Sequence, residues 1–385
     1  MVQKISFVHC ADIHLDASFK GDGNYSYSSE RRKDLKKTFE TIINIVLEKN
    51  ADFLLISGDL YEHEYAAKST VNWLNEQFSK LGDKPVIIVP GNHDPYVKNA
   101  WYRIYPWNEN VRILTTAAPD FTDSTKNVYF YGIGFDTFRQ ERLPEIKPPS
   151  VSADNINICL FHGTLDMDFT GNPYNPVSSE ELRGLGFDYY ALGHFHRRNE
   201  SLAGEGMIYP GSPEPLGFDE QGEHGVYFVS ISKENGKAET RYHFIPVQQR
   251  KYCEYNLDAG GIQSEEELVK RAVLLLESSN AERDIVKINL TGRIPADISL
   301  DLSVLEHALA DRCFSLSIND CTCPDYDLDE LAEEKNITGV FINMMKEKIE
   351  NASGYEKEML EKALYLGLEA LLTGKVDLHG KADIS

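Results

Sequence analysis

The sequence predicts an α/β protein with a mixed sheet, followed by a small α+β unit and a helical tail. Three observations predict it: short apolar runs that each stop at a polar cluster, helical patterns between them, and a change of pattern near residues 246–251. The runs are nearly continuous in apolar residues, as strands buried on both faces should be. KISFVHC (4–10) leads into ADIH, DFLLIS (52–57) into GDLYEH, and PVIIV (85–89) into PGNHD. INICLF (156–161) leads into HG, and FDYYAL (187–192) into GHFH. Residues 29–49 place Leu35, Phe39, Ile42, Ile43, Val46 and Leu47 at helical spacing, and residues 66–81 do the same with Val71, Leu74 and Phe78, beside Trp73. The later runs NVYFYGIG, GVYFVSI and TRYHFIP alternate more and have turn-rich flanks, so the sheet is expected to be mixed.

From residue 251 the order is strand (KYCEYNLD), helix (ELVKRAVLLLES), strand (DIVKINLTG), helix (SVLEHALADR) and strand (CFSLSIN). Ser264 and Glu267 have capping-box spacing ahead of the first of these helices. Beyond it, Ile337, Val340, Phe341, Met344, Met345 and Ile349 form one apolar helical stripe, and a Leu-rich helix is expected over 354–373. The expected division is 1–248, 249–325 and a helical segment 326–385.

Composition narrows the function. With 385 residues, 42% of them hydrophobic and 26% charged, the chain is globular and long enough for two domains. The net charge of −22 counts against a simple electrostatic nucleic-acid binder, which needs a basic face. Residues 1–250 hold 25 Lys/Arg against 34 Asp/Glu, and residues 251–385 hold 14 against 27, so the second part is the more acidic for its length. Six cysteines without a CxxC pair read as a reduced, cytoplasmic chain. No signal-peptide pattern follows Met1, and no apolar run approaches a membrane span.

The chemistry sits at the five strand ends: Asp12-x-His14, Gly58-Asp59, Gly91-Asn92-His93-Asp94, His162-Gly163 and Gly193-His194-x-His196. Five of the eleven histidines are here. Loops at the carboxyl ends of strands form the ligand crevice of an α/β sheet, so these clusters can meet. A donor set of imidazole, carboxylate and one amide carbonyl, with no thiolate, suits Mn²⁺, Fe²⁺ or Zn²⁺. Two Asp and four His are too many for one ion and suit two, and paired ions about 3.5–4 Å apart clamp the oxygens of a phosphoester displacement.

These ordered motifs resemble those of the calcineurin-like metallophosphoesterases, DxH, GD, GNH[DE], H and GHxH. The resemblance implies a β-sandwich flanked by helices. It implies one ion on Asp12, His14, Asp59 and His196, and a second on Asp59, Asn92, His162 and His194, with Asp59 bridging. It implies that His93 is no ligand but acts on the leaving oxygen, with Glu62 orienting it. HCADIHLD, SGDLYE, VPGNHDPY, ALGHFH and YPGSPEPLGFDE together are similar to the SbcD-type DNA repair exonuclease branch; the YPGSP stretch (209–213) is the most branch-specific. That branch implies two divalent ions, chiefly Mn²⁺, a DNA substrate, a capping domain, a homodimer and an SMC-type coiled-coil ATPase partner bound by the helices after the cap. Ser/Thr phosphatases fit worse, since Gly58-Asp59 is followed by Leu60-Tyr61-Glu62 rather than by their xxDRG, and Asp94 stands where they have Glu.

Two competing functions stay open at this point: a small-substrate phosphodiesterase or pyrophosphatase, and a DNA-end-binding subunit with little activity of its own. Of the basic residues, Lys20 follows the first motif, Arg31, Arg32, Lys33, Lys36 and Lys37 read as the solvated face of an amphipathic helix, and Arg197 and Arg198 are placed to touch a phosphate backbone. Cys321-x-Cys323 is a weak metal signal.

Overall fold

Five of the apolar runs become strands whose carboxyl ends carry the motifs. The computed structural model describes residues 2–19, 25–139, 151–166, 174–279, 281–295, 298 and 300–374; Lys20 and residues 375–385 of the expected tail lie outside the described residues. The chain divides into two units, 1–251 and 252–385.

In the first unit, β1 (Gln3–Cys10), β2 (Phe53–Ser57), β3 (Val86–Val89) and β4 (Val111–Ile113) run parallel, and β10 (Gly225–Glu234) and β11 (Lys237–Pro246) extend the sheet antiparallel beside β1. A second sheet holds β5 (Asp120–Asp123), β6 (Val128–Ile133), β7 (Ile156–His162), β8 (Tyr189–Gly193) and β9 (Met207–Ile208), parallel except for β5. Alternation decides which side chains fill which layer. Phe7, Phe53, Leu55 and Ile87 of one sheet pack with Phe130, Ile158, Leu160 and Tyr189 of the other, making the sandwich interior. Their neighbours Val8, Leu54, Ile56 and Ile88 point outward onto α1 (Tyr25–Glu48) and α2 (Lys68–Ser79), through Leu35, Phe39, Ile42, Leu74 and Phe78. The opposite face of the second sheet packs Phe161, Tyr190 and Leu192 against Leu182 of α4 (Ser179–Gly184). A four-residue helix, α3 (Trp101–Ile104), follows the GNHD loop. Burial on both faces of both sheets explains the near-continuous apolar runs.

Arg31 departs from the sequence expectation. It is fully buried, not solvated, and donates to Asp34 (2.8 Å), Glu214 (2.8 Å) and the Pro215 carbonyl (2.7 Å). It lies four residues before Leu35 and eight before Phe39, hence on the inward stripe of α1, where a charge must be paired.

In the second unit, β12 (Tyr252–Asp258), β13 (Ile285–Thr291) and β15 (Ser315–Asp320) form a parallel sheet linked through α5 (Glu265–Ser279) and α6 (Leu302–Leu309). A short pair, β14 (Arg293–Pro295) with β16 (Cys323–Asp325), lies in the same unit. At the start of α5, the Glu267 carboxylate accepts the Gln263 N–H at 3.0 Å, one residue before the expected Ser264. Three helices follow, α7 (Leu328–Glu333), α8 (Ile337–Glu350) and α9 (Gly354–Thr373). The stripe expected on α8 splits. Met345 is buried with Leu364 and Leu368, and Phe341 and Ile349 pack against them beside Ile342, which lies off the expected stripe, whereas Ile337, Val340 and Met344 are exposed. The cause is α7: its Leu328 and Leu331 join that small core, which draws the buried face of α8 toward Thr338, Ile342 and Met345. No helix among the described residues is long and apolar enough to cross a membrane.

Candidate metal centre

The motif loops meet because their backbones are bonded to one another. The N–H groups of Ile13 and His14 both donate to the Asp59 carbonyl (2.8 and 2.9 Å), and that of Asp12 to Gly58 (3.1 Å). Asp94 is buried and collects the N–H groups of Gly91 (2.6 Å), Leu60 (2.7 Å) and Asp59 (3.1 Å) and the Tyr102 hydroxyl (2.6 Å). It therefore ties the GNHD loop to the GD loop. Burial, then the Asp59 charge, lift its pKa to about 6.

Close approach fixes the residue types. A Cβ on Gly91 would stand 2.1 Å from Asp59 Oδ1, and one on Gly193 would stand 1.8 Å from the Ser57 carbonyl oxygen. Asp12, His14 and Asp59 have φ of 54°, 50° and 52°, a left-handed conformation that non-glycine residues seldom adopt. Such strain collects at functional sites, where the surrounding structure enforces it.

All seven ligand-type residues converge. Ligand atoms of Asp12, His14 and His196 lie within 4.8 Å of one another, as do those of Asp59, His162 and His194. Asn92 Oδ1 is 3.1 Å from His162 Nε2 and 3.2 Å from His194 Nδ1. Asp59 Oδ2 lies between the groups, 3.2 Å from His162 Nε2 and 3.8 Å from His14 Nε2. His93 stands at the edge: its N–H donates to Asp59 Oδ1 (2.8 Å), and its Nδ1 is 2.9 Å from Glu62. The other Glu62 oxygen is 2.8 Å from His14 Nδ1, so one carboxylate holds both rings.

The donor arrangement fits a cation. A carboxylate only accepts, so Glu62 and Glu220 each require a proton on the Nδ1 they face, in His14 and His196. When both rings are neutral, their Nε2 lone pairs point at each other across 3.1 Å. That contact is repulsive unless a proton or a metal ion lies between them.

Electrostatics follow from this crowding. Burial works against charge on His196, but Glu220 and Asp12 outweigh it and raise its pKa to about 9. Burial likewise opposes charge on His162, and Asp59 lifts it to about 9. His194 has burial and the His162 charge against it and falls to about 3. Burial disfavours the His93 cation as well, yet the bond to Glu62 and the Asp59 charge raise it to about 9. Burial would raise Glu62; its bonds to His14 and His93 instead hold it down at about 2.

A family model described as calcineurin-like phosphoesterase matches residues 5–198, just over half of the chain. The chain belongs to the calcineurin-like phosphoesterase family. It is 29% identical over 243 residues to the uncharacterized metallophosphoesterase YhaO of Bacillus subtilis, covering 60% of this chain and 59% of that one. It is 28% identical over 339 residues to the DNA double-strand break repair protein Mre11 of Methanopyrus kandleri, covering 79% and 68%. For the Mre11 of Methanococcus maripaludis the identity is 27% over 252 residues, covering 61% and 62%. The alignments thus take in less than two thirds of the length of two of these three family relatives.

One feature of this phosphoesterase site was not readable as a role in the sequence, and a second departs from its reading. Glu220 closes the YPGSPEPLGFDE stretch and lies 2.6 Å from His196 Nδ1. Arg197 and Arg198 are engaged by the protein itself: Arg197 donates to the Asp219 carbonyl (2.9 and 3.2 Å), and Arg198 lies over the Phe244 ring at 4.2 Å.

Proposed function

We propose that the chain is a two-metal phosphodiesterase acting on DNA ends, a repair exonuclease that works with an SMC-type coiled-coil ATPase. The observation that carries the reading is the position of Asp59 Oδ2 between two nitrogen-rich groups, with His93 held beside them by Glu62. In this reading Asp12, His14, Asp59 and His196 hold one ion and Asp59, Asn92, His162 and His194 the other, Mn²⁺ first, with Fe²⁺ or Zn²⁺ as substitutes. Two bound divalent ions would neutralise charge on the attacking and leaving oxygens of the phosphodiester. His93, outside the ligand set, delivers a proton to the leaving oxygen from Nε2, while Glu62 fixes its Nδ1. In this reading residues 1–248 carry the chemistry, 249–325 are the capping domain of that branch, and the segment 326–385 serves the partner. The exposed Ile337, Val340 and Met344 are apolar groups such a partner could cover.

DNA as substrate rests on the similarity to proteins named for double-strand break repair, which reaches beyond residues 5–198. A homodimer and a cytoplasmic location belong to the same reading. Two observations favour a second reading, a small-substrate phosphodiesterase: Arg197 and Arg198 are occupied within the fold, and the net charge is −22. Hydrolysis of end-labelled DNA and of a small chromogenic phosphodiester by the purified chain with Mn²⁺ separates the two. Degradation of DNA is expected; turnover of the small diester with none on any DNA would replace the first reading by the second.

A further inference from the structure

Glu220 sits 24 residues beyond His196 and is 5% exposed. One of its oxygens faces His196 Nδ1 at 2.6 Å; the other accepts from the Ser212 hydroxyl (2.8 Å) and the Leu216 N–H (3.0 Å). The stretch that carries it is fastened at separate points. Glu214 is buried against Arg31 (2.8 Å) and Thr38 (2.8 Å) of α1, and Arg197 clasps the carbonyl of Asp219, the residue next to Glu220. The Ser212 N–H donates to the His196 carbonyl at 3.0 Å, so the stretch grips His196 by backbone and side chain alike. A carboxylate bonded to the outer nitrogen of a ligating histidine fixes its tautomer and raises its basicity, and losing such a partner typically weakens metal binding about 10–100-fold.

We infer that Glu220 is the positioning residue of His196, and that residues 209–220 are a brace for one half of the metal centre. This rests on the two-metal reading above. Glu220 touches no ion and no substrate; it holds the His196 ring so that Nε2 faces Asp12 and His14. Among the described residues no corresponding carboxylate stands behind His162, whose Nδ1 donates to the Ser57 carbonyl at 2.7 Å. Loss of Glu220 therefore acts on one ion and spares the other.

The test is a titration of Mn²⁺ into the metal-free full chain, read by calorimetry and by the electron paramagnetic resonance of free Mn²⁺. The wild type should take up two ions. In Glu220→Ala one Kd should rise about 10–100-fold and the other stay within about threefold. Glu220→Gln, which keeps an acceptor but no charge, should fall between. Thermal unfolding in chelator shows whether each variant folds; if Glu220→Ala does not, Glu220→Gln and Ser212→Ala carry the same comparison. Two unchanged affinities in a folded variant, or two affinities lowered equally, would overturn the assignment. A wild type that binds no Mn²⁺ at all would overturn the two-metal reading itself, and the inference with it.

Discussion

The two halves of the candidate metal centre each offer two imidazoles but hold them differently. Around Asp12, the rings of His14 and His196 are each held from behind by a carboxylate, Glu62 and Glu220. Around Asn92, His162 leans on the Ser57 backbone carbonyl, and His194 presents Nδ1. One half is thus held by two carboxylates, whereas in the other the His162 ring rests on a backbone carbonyl. Asp59 is common to both.

The largest expected effect falls on that shared residue. Asp59→Asn should weaken both halves together and abolish hydrolysis; two ions bound at wild-type affinity in this variant would show that the halves do not share a ligand. Next comes His93→Ala, which leaves both halves their ligands. It should slow hydrolysis roughly 10²–10⁴-fold while metal stoichiometry holds. Ion loss measured in that variant would make His93 a ligand.

Gly193→Ala attacks the backbone-held half. Its Cβ would press on the Ser57 carbonyl that positions His162, at 1.8 Å. We expect a loss of about 1–3 kcal/mol in unfolding free energy, with weaker binding on the His162 side and little change on the His196 side. Denaturant melts and Mn²⁺ titration check both parts. An equal loss at both sites would erase the distinction.

A smaller, graded effect comes from pH. In the metal-free centre His162 and His196 have pKa values near 9, above the ordinary 6.5, so at neutral pH each carries a proton that a metal ion must displace. Metal affinity should therefore rise with pH and level off above about 9. Proton release, read as the dependence of calorimetric heat on buffer ionisation enthalpy, measures it. Affinity that is flat from pH 6 to 9 would contradict these values.

Much of the fold was readable because strand burial and motif position coincide. A buried strand must be apolar along its length, and ligands must sit where it ends, so FLLIS followed by GD announces both. The supports were less legible. Glu220 lay in a stretch noted for its sequence alone, and its partner His196 is distant in the chain. Asp94 served to distinguish subfamilies, while its hydrogen bonds to two loops depend on tertiary contact. For Arg31 a signal existed, since it continues the Leu35–Phe39 stripe, but its acceptor Glu214 lies 183 residues away. On α8, no helical pattern could reveal that α7 would rotate the buried face.

The most direct measurement is the anomalous diffraction of a crystal of the full chain grown with Mn²⁺. Two bridged ions would give two peaks about 3.5–4 Å apart, on either side of Asp59 Oδ2, one beside His14 and His196 and the other beside Asn92 and His162. A single peak, or two peaks of which only one touches Asp59, would contradict the bridged pair.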